Sequence, residues 1–167
     1  MGRKHLTDGD IILLINDKGA KSMNIPSKVK ALMKKFNTND PFLLAACLGV
    51  EILEQPLGSK LGFYKYIKKR KFIFINSSLD YYMRKIICAH ELGHAIMHPK
   101  VNCSFMQNFT LLCTEKVEIE ANKFCAYLLL TDDMLKEYEG YTYKQISQAT
   151  SIPVEIVKLR QAQEKMI

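Results

Sequence analysis

The order of segment types along the chain predicts an α+β fold: helices, one short block of strands, then helices again. Three observations carry this reading. Helix-capping residues recur ahead of apolar-periodic segments on both sides of residues 50–76. Between them lie "VEILE", "LGFYKYI" and "KFIFIN", which are rich in β-branched and aromatic residues. A length of 167 residues, with 48% hydrophobic and 25% charged side chains, suits one globular domain with a real core.

Each element has a local reason. Thr7 with Asp10 three residues later is a capping pattern for a first helix that ends near Gly19. Pro26 suits the first turn of a second helix, which runs to about Phe36. Asp40-Pro41 reads as cap and first position of a short helix, "PFLLAACL", stopped by Gly49. The three strand segments form a small antiparallel sheet, with "KKR" joining the last two. Asn76-Ser77-Ser78 ends the sheet and caps a long helix from Leu79 to His98, closed by Pro99. A loop of about sixteen residues follows, "PKVNCSFMQNFTLLCT", and loops of that length are often functional. Thr114 caps a helix through Leu130, and Thr131 opens a short one that ends at Gly140. Thr142 and Gln145 make a capping box, and Pro153 starts a last helix reaching about Gln163. Residues 1–140 then form the main body, and 141–167 a C-terminal helical hairpin packed on the same domain.

Composition excludes several classes. No apolar run approaches the roughly 18 residues of a membrane span, and the N-terminal apolar stretch is too short for a signal peptide. The expected location is the cytoplasm, where the five cysteines, none in a C-x-x-C pair, are free and mostly buried thiols. The net charge is +7, with one basic run at Lys68–Lys71 and five lysines between Lys21 and Lys35. Solvated turns and helix faces account for these charges, and no aromatic residue interleaves with the run as on a single-strand platform. Direct contact with nucleic acid is therefore not expected.

The chemistry lies in "KIICAHELGHAIMHPK", residues 85–100, which holds three of the four histidines. Residues four apart on a helix are neighbours about 6 Å apart, so His90 and His94 can converge on one metal ion at ~2.1 Å. Glu91, turned about 100° from His90, flanks the ion rather than binding it, and is placed to act as a general base on a water held there. The plain alternative is a pair of core histidines in the stripe of Met83, Ile86, Ile87 and Met97. Each imidazole would then need its own hydrogen-bond partner, which such a stripe does not offer. His98 is not a third ligand, because positions i, i+4 and i+8 span about 12 Å along the axis. It suits the helix C-terminus instead.

The third ligand is expected from "TEKVEIEANKFCAYLLL", whose apolar stripe is Val117, Ala121, Phe124, Cys125 and Leu128. Glu118 falls on the flank of that stripe, whereas Glu120 turns away between Lys116 and Lys123, where surface ion pairs suffice. A carboxylate on the margin of a buried stripe needs a reason, and a metal supplies one. Asn122, one turn later, can orient Glu118, or can serve as an ordinary surface amide. Two His, one Glu and an open fourth position describe catalytic zinc rather than structural zinc, with manganese the alternative ion. The reaction class is peptide-bond hydrolysis.

"HELGHAIMHP" followed some twenty residues later by "EIEANKFCAYLLL" resembles the ImmA/IrrE family of zinc metallopeptidases. "DPFLLAACLGVEIL", "LGFYKYI…KFIFINSSLD" and "YTYKQISQATSIPVEIVKLR" are similar to the small members carried on phages and integrative elements. The resemblance covers nearly the whole chain. It implies a zincin-like domain whose metal is held by His90, His94 and Glu118, and a helix-turn-helix repressor as substrate. In such a fold "LGFYKYI" is expected to be the sheet edge facing the metal cleft. Thr131 stands where the family usually has Pro, a change that leaves the helix start capped. A DNA-associated regulator, or a repressor-binding module without turnover, is the competing reading. Its basis is the helix-turn-helix proportions of "YKQISQATSIPVEIVKLRQAQ", but Lys158, Arg160, Gln161 and Gln163 are a meagre reading set. A packing hairpin burying Ile146, Ile152, Val154 and Val157 explains that segment better.

Overall fold

The computed structural model describes residues 24–100, 104–106 and 116–162; the helix expected over 7–19 lies outside them. The first described helix is α1 (Ile25–Phe36), where the Asn24 side chain accepts from the Ser27 amide and Asn37 closes the helix at φ 51°. In α2 (Pro41–Cys47) the Asp40 carboxylate accepts from the Phe42 and Leu43 amides, with Pro41 in the first turn.

The strands β1 (Val50–Gln55), β2 (Lys60–Ile67) and β3 (Arg70–Asn76) fall where the aromatic and β-branched residues put them. Their arrangement corrects two expectations. The sheet is mixed, in the order β1-β3-β2-β4 with β4 at Ser104–Met106, because β1 lies parallel to β3 while β2 is antiparallel to it. The chain thus passes from β1 across to β2 and returns to insert β3 between them. Asn76 pins this crossover by donating to the Gly58 and Lys60 carbonyls, and the Ser77 amide donates to Gln55. The second correction concerns the edge: β2 is covered along Lys60–Phe63 by β4 (Ser104–Met106), a strand inside the segment read as a loop. The β2–β3 turn is two residues, Lys68 and Lys69, at φ 49° and 64°, which is the left-handed geometry a tight hairpin demands. Arg70 belongs to β3 rather than to the link.

The long helix α3 (Tyr81–Met97) is capped by Asp80, whose carboxylate accepts from the Met83 amide, not by Asn76–Ser78. It lies against β2 and β3 on one side and α4 (Lys116–Leu129) on the other. Every residue from Ile86 to Ile96 is therefore buried, well beyond the single stripe its sequence suggests. Two glycines permit this closeness. A Cβ at Gly62 would lie 2.5 Å from Ile87 Cγ2, and one at Gly93 would lie 3.0 Å from Ala121 Cα. Neither strand nor helix could sit so near α3 with a side chain at those points.

After α4 come α5 (Asp132–Glu137), capped by Thr131, and α6 (Tyr143–Thr150), whose Thr142–Gln145 capping box is present in both directions. The last described helix, α7 (Val154–Gln161), packs with α6 and against α4, while α1 covers another side of α4. The hairpin buries Ile146, Ile152 and Val157 as expected, but Ile156 rather than the half-buried Val154. Arg160 is only 2% exposed: its Nε donates to the Leu130 carbonyl, its NH2 group meets Asp132, and its guanidinium lies 4.3 Å from the Tyr127 ring centre. This residue is thus unavailable for reading bases.

Candidate metal centre

The packing of α3 on α4 brings His90, His94 and Glu118 together. His90 Nε2 and His94 Nε2 are 3.1 Å apart. Glu118 completes the triangle, with its two oxygens 3.3 Å from His90 Nε2 and 3.4 Å from His94 Nε2. Atoms held ~2.1 Å from one tetrahedral ion lie roughly 3.4 Å from each other. The three donors already have that spacing, so the residues present fit a divalent cation. His90 and His94 are buried and Glu118 is half-buried, which places the triangle beneath the surface.

The hydrogen bonds around the triangle aim it. His90 Nδ1 lies 2.9 Å from Asn122 Oδ1, so its Nδ1–H donates outward and Nε2 is left bare toward the centre. Asn122 therefore serves His90, not Glu118 as the helix spacing suggests. It sits one turn from Glu118, but across from His90 on the neighbouring helix. His94 Nδ1 is buried with no partner among the described residues. Burial opposes ionisation of Glu118, but the adjacent His90 and His94 imidazoles outweigh it and hold the carboxyl well below the usual carboxylate range.

Glu91 is fully buried, and neither of its oxygens has a hydrogen-bond partner among the described residues. Burial pushes its carboxyl up to about 8, with Glu118 adding to the rise, while His94 and the nearby Tyr64 amide oppose it. A cation in the triangle would draw that value back down. Its neighbours are the packed face of β2: the Gly62 Cβ position lies 3.9 Å from Glu91 Cγ. An acid sealed under a glycine and left without a partner is costly unless something else occupies the space beside it.

His98, set aside as a ligand, caps α3 and lies 3.0 Å from Glu120. Glu120 also approaches Lys116, whereas Lys123, its other expected partner, makes no ion pair with it among the described residues. Cys88 and Cys125 are buried free thiols near the helix interface. Burial raises both, Cys125 to about 12, so neither offers a thiolate to a metal. Sequence reasoning missed Gly62 and the Tyr64 amide. No local signal marks them, because they reach Glu91 only through the sheet-on-helix packing.

Comparison with known proteins agrees with this geometry. Residues 45–161 match the IrrE N-terminal-like domain. The chain is 36% identical over 155 residues to immunity region protein 2 of Bacillus phage phi105, covering 91% of this chain and 98% of that one. It is also 30% identical over 138 residues to metallopeptidase ImmA of Bacillus subtilis strain 168, covering 79% of this chain and 80% of ImmA. The match spans both arms of the triangle, and the chain belongs to the ImmA/IrrE family of metallopeptidases.

Proposed function

We propose that the protein is a zinc-dependent peptidase that cuts a helix-turn-helix repressor of a phage or integrative element in the cytoplasm. The observation that carries this reading is the pairing of a preformed three-donor triangle with Glu91, a buried carboxylate left beside it without a partner among the described residues. His90, His94 and Glu118 would hold the ion; two nitrogens and one oxygen favour zinc, and manganese remains the second choice. When bound, the ion supplies Lewis acidity that acidifies a water and polarises the scissile carbonyl. Glu91 takes the proton of the attacking water at a carboxylate oxygen and delivers it to the departing amine nitrogen. Asn122 keeps His90 in the tautomer that leaves Nε2 bare.

The immunity-region name of the phage relative supports a repressor as substrate. The free Cys47, Cys88 and Cys125 support a reducing compartment. No helix among the described residues is long and apolar enough to cross a membrane. The test is to mix the zinc-loaded protein with helix-turn-helix repressors of phages and integrative elements. Two discrete fragments are expected, and both a chelator and Glu91→Gln should abolish them. Cleavage by Glu91→Gln at near the parent rate would remove Glu91 from the mechanism. Stable binding with no trace of product would favour a module without turnover.

A further inference from the structure

The face of the sheet turned away from α3 carries chemistry that the metal centre does not use. Side chains alternate along a strand, so Tyr64, Ile73 and Ile75 enter the core while Phe63, Phe72 and Phe74 project from the other face. The register sets these rings side by side: Phe63 lies opposite Phe74, and Lys65 opposite Phe72. Phe63 and Phe74 stack with centroids 4.6 Å apart, and Phe72 lies 6.4 Å from Phe74. The three rings are half-buried, and none is among the side chains packed against the core. Leu53, opposite Phe74, extends the same face at 41% exposure.

Cations surround these rings. The Lys60 and Lys65 nitrogens sit 5.6 and 5.7 Å from the Phe63 ring centre, and the Arg70 guanidinium sits 5.3 Å from that of Phe72. Lys68 and Lys69, both exposed, stand on the hairpin just beyond. The acid in these rows is Glu51, opposite Phe72 and paired with Arg70 at 2.5 Å. A second copy of the chain would oppose cations to cations, which disfavours self-association here. A nucleic-acid duplex offers phosphates but hides its base faces, and so would leave the rings unused. Unpaired bases have π-faces for the rings, and their phosphates suit the flanking Lys and Arg.

We propose that this outer sheet face binds single-stranded nucleic acid. About two bases stack on Phe72 and Phe74, and the phosphates meet Lys60, Lys65 and Lys68. Read along the chain, the basic run contains no aromatics; read across the sheet, rings and cations interleave. The site is separate from the metal centre, since Glu91 lies under the opposite face of β2.

The test uses the full chain and fluorescence anisotropy with labelled oligothymidine, oligouridine and a duplex of equal length. The single strands should bind at least about tenfold tighter than the duplex, with affinity falling as salt rises. Phe72→Leu and Phe74→Leu keep apolar bulk but lose the ring, and each should weaken binding about tenfold. Phe72→Tyr and Phe74→Tyr keep the ring and should bind as the parent does. All four should retain their metal. Lys65→Glu with Lys68→Glu should weaken binding further and flatten the salt slope by about 0.7 for each phosphate no longer neutralised. Preference for thymidine assigns DNA, preference for uridine assigns RNA, and equal affinity assigns the chemistry both share; each supports the proposal. Duplex bound as tightly as single strand would overturn it, as would Leu variants that bind normally while the Glu variants fail. A dimer dissolved by the same substitutions, with no oligonucleotide binding, would overturn it too.

Discussion

Two polar clusters, each with a buried side chain at its centre, fasten α4 to its neighbours, and they differ in how completely their atoms are satisfied. At the C-terminal end, Arg160 spends its guanidinium on the Leu130 carbonyl, Asp132 and the Tyr127 ring, and Asp132 takes Lys30 as well at 2.6 Å. At the other end, His90, His94 and Glu118 crowd together while both Glu91 oxygens and His94 Nδ1 lack partners among the described residues. The first cluster is closed, as a structural tie should be. The second leaves polar capacity unmet among the described residues. Buried polar groups alone do not distinguish structure from function; the unmet ones do.

The comparison breaks first at the ligands. Alanine at His90, His94 or Glu118 should each remove most of the bound metal, a loss of several orders of magnitude in affinity, because each takes one of three protein donors. His98→Ala and Glu120→Ala should leave it in place. Metal content and competition with a chromogenic chelator measure both. Full occupancy in Glu118→Ala would sink the assignment of the third donor. The converse holds for Arg160→Ala, which should cost about 2–3 kcal/mol of stability by stranding the Leu130 carbonyl and losing packing on Tyr127. Chemical unfolding at neutral pH would show it, with metal affinity unchanged. A variant that lost metal and stability together would mean that the two ends of α4 are one unit.

Asn122→Ala sharpens the boundary between the clusters. Its amide bonds His90 directly, so its loss should weaken metal binding about 10- to 100-fold while barely moving the stability of the metal-free protein. Equal loss in both measurements would make Asn122 a structural residue.

How far the sequence discloses all this depends on the range of the interaction. Asp40, Thr131 and Thr142 cap their helices through hydrogen bonds two or three residues away, and a linear reading sees them. His90, His94 and the flank position of Glu118 follow from helical repeat alone. The same repeat makes Asn122 a neighbour of Glu118 but cannot show it as the partner of His90, since that hydrogen bond crosses between helices. The parallel pairing of β1 with β3 is invisible for the same reason: adjacency in the sheet does not follow adjacency in the chain. Arg160, read linearly, is a candidate base reader; the ring and carbonyl that enclose it come from α4 and the residue just after it. The ring-and-cation face exists only in register, because Phe63 and Phe74 are eleven positions apart and meet across a turn.

The smallest effect should come from Asp132. Its hydrogen bond with Lys30 lowers its pKa, against some opposition from burial, and Arg160 adds to the lowering. A folded value below the unfolded value of about 3.9 means that the stabilisation is fully present above that pH and is lost as pH falls through the folded value. With its side chain 47% exposed, solvent screening limits the contribution to under about 1 kcal/mol. Asp132→Asn should therefore be slightly less stable than the parent by a constant margin between about pH 5 and 8. That margin should close on acidification below about pH 4, where the parent loses its charge too. Unfolding of both proteins should be followed in excess chelator, so that metal binding does not enter the difference. A margin that persists at the acid end would show that the side chain acts there by shape or neutral hydrogen bonding, and that the Arg160 cluster is held by packing more than by charge.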